Sequence, residues 1–180
     1  MKPRGPLMIE HRLIERMLSV IGVEAKRIRE GKAVDALFID AAVDFIRVYA
    51  DRTHHGKEED ILFRDLEKKQ LTEQDSREMD ELVEEHRQAR LKVKGLVEAK
   101  ERFLKGDEAA VSDVLSAMEW LTSFYPRHIA KEDREFFPRT ERYFSAKELE
   151  GMLQAFKEFD GKMIHEKYEA LVKALIKTEK

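Results

Sequence analysis

The chain has 180 residues, 42% apolar and 39% charged, with only 8 glycines and 4 prolines. That is enough for one domain with a sizeable core, and richness in Ala, Leu, Glu, Lys and Arg favours long amphipathic helices over sheet. The net charge of −3, with signs interspersed, points to neither a nucleic-acid nor a membrane partner, and the absence of cysteine excludes disulfides, iron–sulfur clusters and Cys-ligated zinc.

The N-terminal stretch is broken by Glu10, His11 and Arg12. It reads neither as a signal peptide nor as a bilayer span, so a soluble cytoplasmic protein is expected. A first helix is predicted from about Pro6, which suits a first turn, to about Gly31. Its apolar stripe is Leu7, Ile14, Leu18 and Ile21, and His11 falls inside that stripe. Asp35 is the expected N-cap of a second helix that runs to about Lys69. Ile39, Val43, Ile46 and Ala50 form one face of it, continued by His54 and Glu58 at steps of four. Gly56 within this helix costs roughly 1 kcal/mol relative to Ala, or else marks the close approach of another helix.

Thr72 is the expected N-cap of a third helix that ends near Lys105. Its inner face is Met79, Leu82, Val83, His86, Val93, Leu96 and Val97. Gly106-Asp107 should end it and cap a fourth helix starting near Glu108. That helix carries Leu115, Met118, Leu121 and Phe124 toward His128. Pro126 removes one backbone bond and kinks it, either wrapping the bundle or aiming His128; the two readings are compatible. Pro138 is expected to stop it. A fifth helix is predicted from Ser145, in a capping box with Glu148, to about Lys177, bent at Gly161. Its stripe is Ile164, Tyr168, Leu171 and Leu175. Short connections make neighbours antiparallel. The predicted fold is all-α: an up-down-up-down four-helix bundle over about 6–140 with an additional C-terminal helix over about 145–178, in one domain 1–180.

Two stretches are copies of one another. His54-His55-Gly56-Lys57-Glu58-Glu59-Asp60-Ile61-Leu62-Phe63 and His128-Ile129-Ala130-Lys131-Glu132-Asp133-Arg134-Glu135-Phe136-Phe137 share H-x-x-K-E-(acid)-x-x-(apolar)-F, offset by 128 − 54 = 74 residues. Glu10-His11-Arg12 and Glu85-His86-Arg87 precede them, offset by 86 − 11 = 75. Residues i and i+4 share a helix face, so His54 with Glu58 and His128 with Glu132 each present an imidazole and a carboxylate to one point. His11 and His86 fall early in their helices and His54 and His128 late, so antiparallel packing brings all four to one level.

Four imidazoles and two carboxylates in symmetric pairs suit a two-metal site in a helical bundle. Glu58 and Glu132 would bridge the metals, with two imidazoles on each and positions left for exogenous ligands. This donor set suits iron and also accepts Mn or Zn. One such histidine alone would more often be a structural hydrogen-bonding residue, and one H-x-x-x-E is common on solvated faces; the duplication is what changes the weighting. His55 and Glu59 repeat the H-x-x-x-E spacing, but aligning His54 with His128 keeps Lys57 and Phe63 in register. His55 is left either reaching one metal from the helix edge or bonding a neighbour. His165, on the margin of its stripe, is read as a surface or outer residue, or as a fifth histidine folded over the bundle's open end.

At these residues the chain resembles the hemerythrin-like (HHE cation-binding) family, over about Met8 to Pro138. The resemblance rests on His11, His54-x-x-x-Glu58, His86 and His128-x-x-x-Glu132 with their Lys-Glu-acid flanks. It implies a four-helix bundle around two Fe ions, an oxo- or hydroxo-bridged non-haem di-iron centre. The oxygen carriers of that family use a His-x-x-x-His pair on the third helix; here Leu82 and Arg90 stand four residues either side of His86. The carriers also place an Asp five residues after the last His, the spacing of Asp133, whereas the internal repeat favours Glu132. The resemblance therefore implies a four-His, two-Glu centre that binds O2, NO or iron itself. A redox enzyme acting on peroxide or NO, with Tyr125 or Tyr168 nearby, and a passive metal staple are the competing readings.

Overall fold

The computed structural model describes residues 2–177, apart from the side chains of 162–164, 166 and 177, and the described residues contain no strand. The predicted stripe position Ile164 and the predicted helix end at 178 lie outside this description. The described residues form six helical segments. Helix α1 is Arg4–Arg29. Helix α2 is one path of Ala36–Asp44, two π-helical stretches Phe45–His55 and Glu58–Phe63, and Arg64–Leu66. Helix α3 is Glu73–Leu104. Helix α4 is Ala110–Lys131, continued by a π-helical stretch Glu132–Phe136 and by Phe137–Thr140. Helices α5 (Ala146–Asp160) and α6 (Lys162–Lys177) follow. None of the described helices is long and apolar enough to cross a membrane.

Three predicted caps are present. Asp35 accepts from the Phe38 amide at 3.0 Å and Thr72 from the Asp75 amide at 3.2 Å. Ser145 and Glu148 form the reciprocal capping box, at 3.3 Å and 2.8 Å. Other expectations are corrected. Asp107 does not cap α4, which starts from Ala109 without a side-chain cap; Asp107 instead takes a long contact from Arg102 at 3.4 Å. Pro138 does not stop α4. The helical path continues through it to Thr140. Val83 is exposed rather than on the inner face. At Gly161 the C-terminal helix breaks in two, with the glycine at φ 53°.

The helices pack around two apolar clusters with a polar layer between them. On α1, Leu7 belongs to the first cluster and Leu13 to Ile28 to the second, with His11 between. On α2 the order is reversed: Ile39 to Ala50 in the second, then His54 and His55, then Ile61 to Leu66 in the first. On α3, Met79 and Leu82 precede His86, and Ala89 to Ala99 follow it. On α4, Val114 to Ile129 precede Glu132, and Phe136 and Phe137 follow. The order alternates from helix to helix, so successive segments run antiparallel and their polar residues meet at one level.

Candidate metal centre

Each of the four long segments delivers its ligand-type side chains into that level. His11, His54, His86 and His128 are at most 2% exposed, and Glu58 and Glu132 are fully buried. His11, His54, Glu58 and Glu132 present donor atoms that all lie within 4.8 Å of one another; His55, His86 and His128 form a second such group. The structure therefore brings together the six residues singled out by the repeat, and adds His55, which is 1% exposed. His165 lies outside both groups. It contacts Asp160 at 3.0 Å and the Tyr49 hydroxyl at 3.1 Å.

The two carboxylates straddle the imidazoles. Glu58 directs Oε1 at His54 Nε2 (3.3 Å) and Oε2 at His86 Nε2 (3.5 Å). Glu132 directs Oε2 at His11 Nε2 (3.2 Å) and Oε1 at His128 Nε2 (3.3 Å). All four oxygens are buried without a hydrogen bond, as are the Nε2 atoms of His55, His86 and His128. Buried polar atoms left unpaired cost about 1–3 kcal/mol each, more when charged. The Nε2 atoms of His11 and His54 face each other at 2.7 Å. Two imidazoles at right angles on one ion, each at about 2.0–2.1 Å, would stand roughly 3 Å apart.

Behind the imidazoles lies a shell of acids. His54 Nδ1 meets Glu10 at 2.7 Å, and His128 Nδ1 meets Glu85 at 2.7 Å. His11 Nδ1 meets Asp133 at 2.7 Å, and His86 Nδ1 meets Glu59 at 2.6 Å. His55 Nδ1 meets Asp51 at 3.3 Å. Such acids fix the tautomer and turn each Nε2 inward. A fourth shell of cations backs them: Lys57 on Glu10, Lys131 on Glu85, Arg12 on Asp133, and Arg90 on both Asp51 and Glu59. Sequence reading missed these roles, although the signal was in the repeat. The Glu of Glu-His-Arg and the Lys of H-x-x-K-E pair within one helical hairpin, in both copies. The acid after Glu58 or Glu132 reaches the first histidine of the other hairpin.

The electrostatics follow from this nesting. Seven carboxylates (Glu10, Asp51, Glu58, Glu59, Glu85, Glu132 and Asp133) face four fixed cations, so the nest demands further positive charge. Burial opposes protonation of His54, yet Glu58 and Glu10 outweigh it and hold its pKa up to about 10. Burial opposes charge on His86 as well, and Glu132 and Glu59 still carry it to about 9. At His11, burial and His54 push down, and Asp133 and Glu132 prevail to raise it. Burial would raise Glu132, but His128, His11 and His86 hold it well below the usual carboxylate range. His55 goes the other way: burial and the neighbouring imidazoles push it well down. A field that recruits protons onto inward-facing imidazoles recruits a metal cation equally.

The lid over this level is the α5–α6 elbow. A Cβ on Gly56 would meet Phe159 Cζ at 2.8 Å, so the glycine does mark a close approach. Lys57, fully buried, bonds both Glu10 and Asp160. On another side, a cavity of about 90 Å³ lies against His55, Tyr125, Ile46, Ala89 and Val93.

An all-helical chain with this paired His/Glu nest has the character of a cation-binding protein. The hemerythrin HHE cation-binding domain matches residues 6–140, and the chain belongs to that family. No curated protein and no solved structure matches it. The buried, unpaired Glu58, Glu132, His86 and His128 atoms fit the metal that the family implies.

Proposed function

We propose that the chain is a hemerythrin-like di-iron protein, a single domain whose four-helix bundle is completed by the C-terminal helices, and that it takes up O2 or NO. His11, His54, Glu58, His86, His128 and Glu132 hold the metals. The observation that carries this reading is the placement of Glu58 and Glu132, each fully buried and each offering one oxygen to either pair of imidazoles. Two irons so bridged would supply reversible redox change and binding positions for a small ligand. The protein's own part is to fix each Nε2 through its Nδ1 acid, to exclude water with the two apolar clusters, and to close the level with the α5–α6 elbow.

The buried hydroxyl of Tyr125, which makes no hydrogen bond, supports a second reading as an enzyme that decomposes peroxide or reduces NO. The phenol ring lies 6.2 Å from the His55 ring and 6.3 Å from the His128 ring.

Aerobically purified protein tests both. Iron per chain and visible spectra are recorded after dithionite, air, NO and peroxide. Two irons with a reversible oxygenated band support binding; steady O2 evolution from peroxide supports the enzyme; two colourless zinc ions contradict both. Glu132→Ala should lose both metals, because its two oxygens serve both imidazole pairs. Full loading in that variant refutes the bridging role.

A further inference from the structure

The cavity of about 90 Å³ between α2, α3 and α4 is lined by two side chains whose polar atoms make no hydrogen bond. One atom is His55 Nε2 and the other is the Tyr125 hydroxyl; both residues are 1% exposed. The repeat does not require them. The counterpart of His55 in the second copy is Ile129 (129 − 55 = 74), and the counterpart of Tyr125 in the first is Asp51 (125 − 51 = 74). Chemically the two groups complement each other. His55 Nδ1 faces the Asp51 carboxylate at 3.3 Å, and a carboxylate only accepts, so the ring hydrogen sits on Nδ1 and Nε2 is left as an acceptor. The phenol hydroxyl can donate. The two rings are nearly parallel, at 12°, with centroids 6.2 Å apart. His55 also stacks face to face on His86 at 3.8 Å and 8°, so its in-plane Nε2 does not converge with that of His86 on one ion. Buried polar atoms are as a rule paired, and this acceptor and donor share one cavity.

The rest of the lining limits what could pair with them. Ile46, Ala89 and Val93 are apolar and buried, which penalises a charged guest. Arg47 and Arg90 are exposed and mark the solvent side, and Arg90 is committed to Asp51 at 2.8 Å and Glu59 at 2.7 Å. A single water needs about 10–15 Å³ of such space, so a larger molecule fits. We propose that this cavity is a binding site for hydrogen peroxide, a small uncharged molecule that donates O–H to His55 Nε2 and accepts from the Tyr125 hydroxyl. A donor atom of His55 lies within 4.8 Å of donors on His86 and His128, so the guest is held beside the metal centre. The assignment rests on the peroxide reading above for its role and names the side chains that would bind that substrate.

The first test needs no turnover. The full chain, loaded with redox-inert zinc and isotope-labelled at the tyrosine hydroxyl carbon, is titrated with hydrogen peroxide and followed by NMR. One tyrosine resonance should shift saturably, and it should be the one missing from Tyr125→Phe. Ala89→Leu should fill the cavity and abolish the shift with Tyr125 in place. His55→Phe keeps a stacked ring and removes the acceptor; half-saturation should rise about five- to tenfold, the loss of one hydrogen bond. In iron-loaded protein the same variant should raise KM for peroxide by a similar factor, with iron content and kcat little changed. No saturable shift in wild type, or one that survives Ala89→Leu, would overturn the proposal and leave a water cavity only. Loss of iron from His55→Phe would overturn it too, by making His55 a ligand. A saturable shift in the zinc protein without peroxide turnover by the iron protein would instead sink the enzyme reading and leave the site standing.

Discussion

Lys57 gives the sharpest check on the nested charges. It is fully buried, its ammonium bonds Glu10 and Asp160, and it sits 5.8 Å over the Phe156 ring. Lys57→Met keeps the stem and removes the charge. Glu10, 2% exposed, would then keep only His54 and a distant His165 at 3.7 Å. Losing one partner of a buried pair costs about 3–5 kcal/mol. Asp160 is partly exposed and keeps its 3.0 Å contact with His165, so the lower end, about 3 kcal/mol, applies here. At 2–4 °C per kcal/mol for a chain of this size, Tm should fall by about 6–12 °C. Denaturant unfolding of metal-free protein measures this without interference from metal loss. Adding Glu10→Gln to Lys57→Met should recover part of the stability, because the stranded charge is then gone. A loss below about 1 kcal/mol in the single variant, or no recovery in the double, would show that Glu10 does not depend on Lys57.

Two further outcomes are expected. In the metal-free protein, His54 and His86 have raised pKa values of about 10 and about 9. Their contribution to stability is fully present below the ordinary histidine value near 6.5 and is lost as pH rises through 9 and 10. The Tm of chelated protein should therefore fall between pH 7 and 10, while metal affinity rises over the same range as protons leave; a flat Tm in the chelated protein would contradict the raised values. Asp75, fully buried, ties the start of α3 to Arg139 at the end of α4 and to the turn after it, through Arg142 at 2.9 Å and Tyr143 at 2.6 Å. Asp75→Ala should cost about 2 kcal/mol in denaturant midpoint with metal content unchanged.

How far the sequence could be read depended on winding. The steps of seven and four on α1 and of four on α2 put His11, His54 and Glu58 on inward faces, where they are buried, because these rules hold wherever inward residues share a stripe. Beyond Phe45, α2 winds with i→i+5 hydrogen bonds. The wider turn brings successive residues closer together around the axis, so His54 and His55 both face inward. A reading based on 3.6 residues per turn leaves His55 at the edge and gives Asp51 no task. The acids behind the imidazoles were visible as repeat positions but not as partners, since Asp133 reaches across 122 residues to His11. The Asp75 network was legible only in its local half, the Thr72 cap: its other partners lie 64 to 68 residues away.

Charge alternates outward from the centre in successive rings: acid, imidazole, acid, cation. The rings do not balance, because the acids outnumber the fixed cations. Seven carboxylates against four fixed cations leave the empty nest negative, so filling it with cations alters the electrostatic face this protein turns to its surroundings. A neighbour able to distinguish the two states would feel that change of charge, and the elbow clasped by Lys57 is where the chain holds its interior and its outside in one grip.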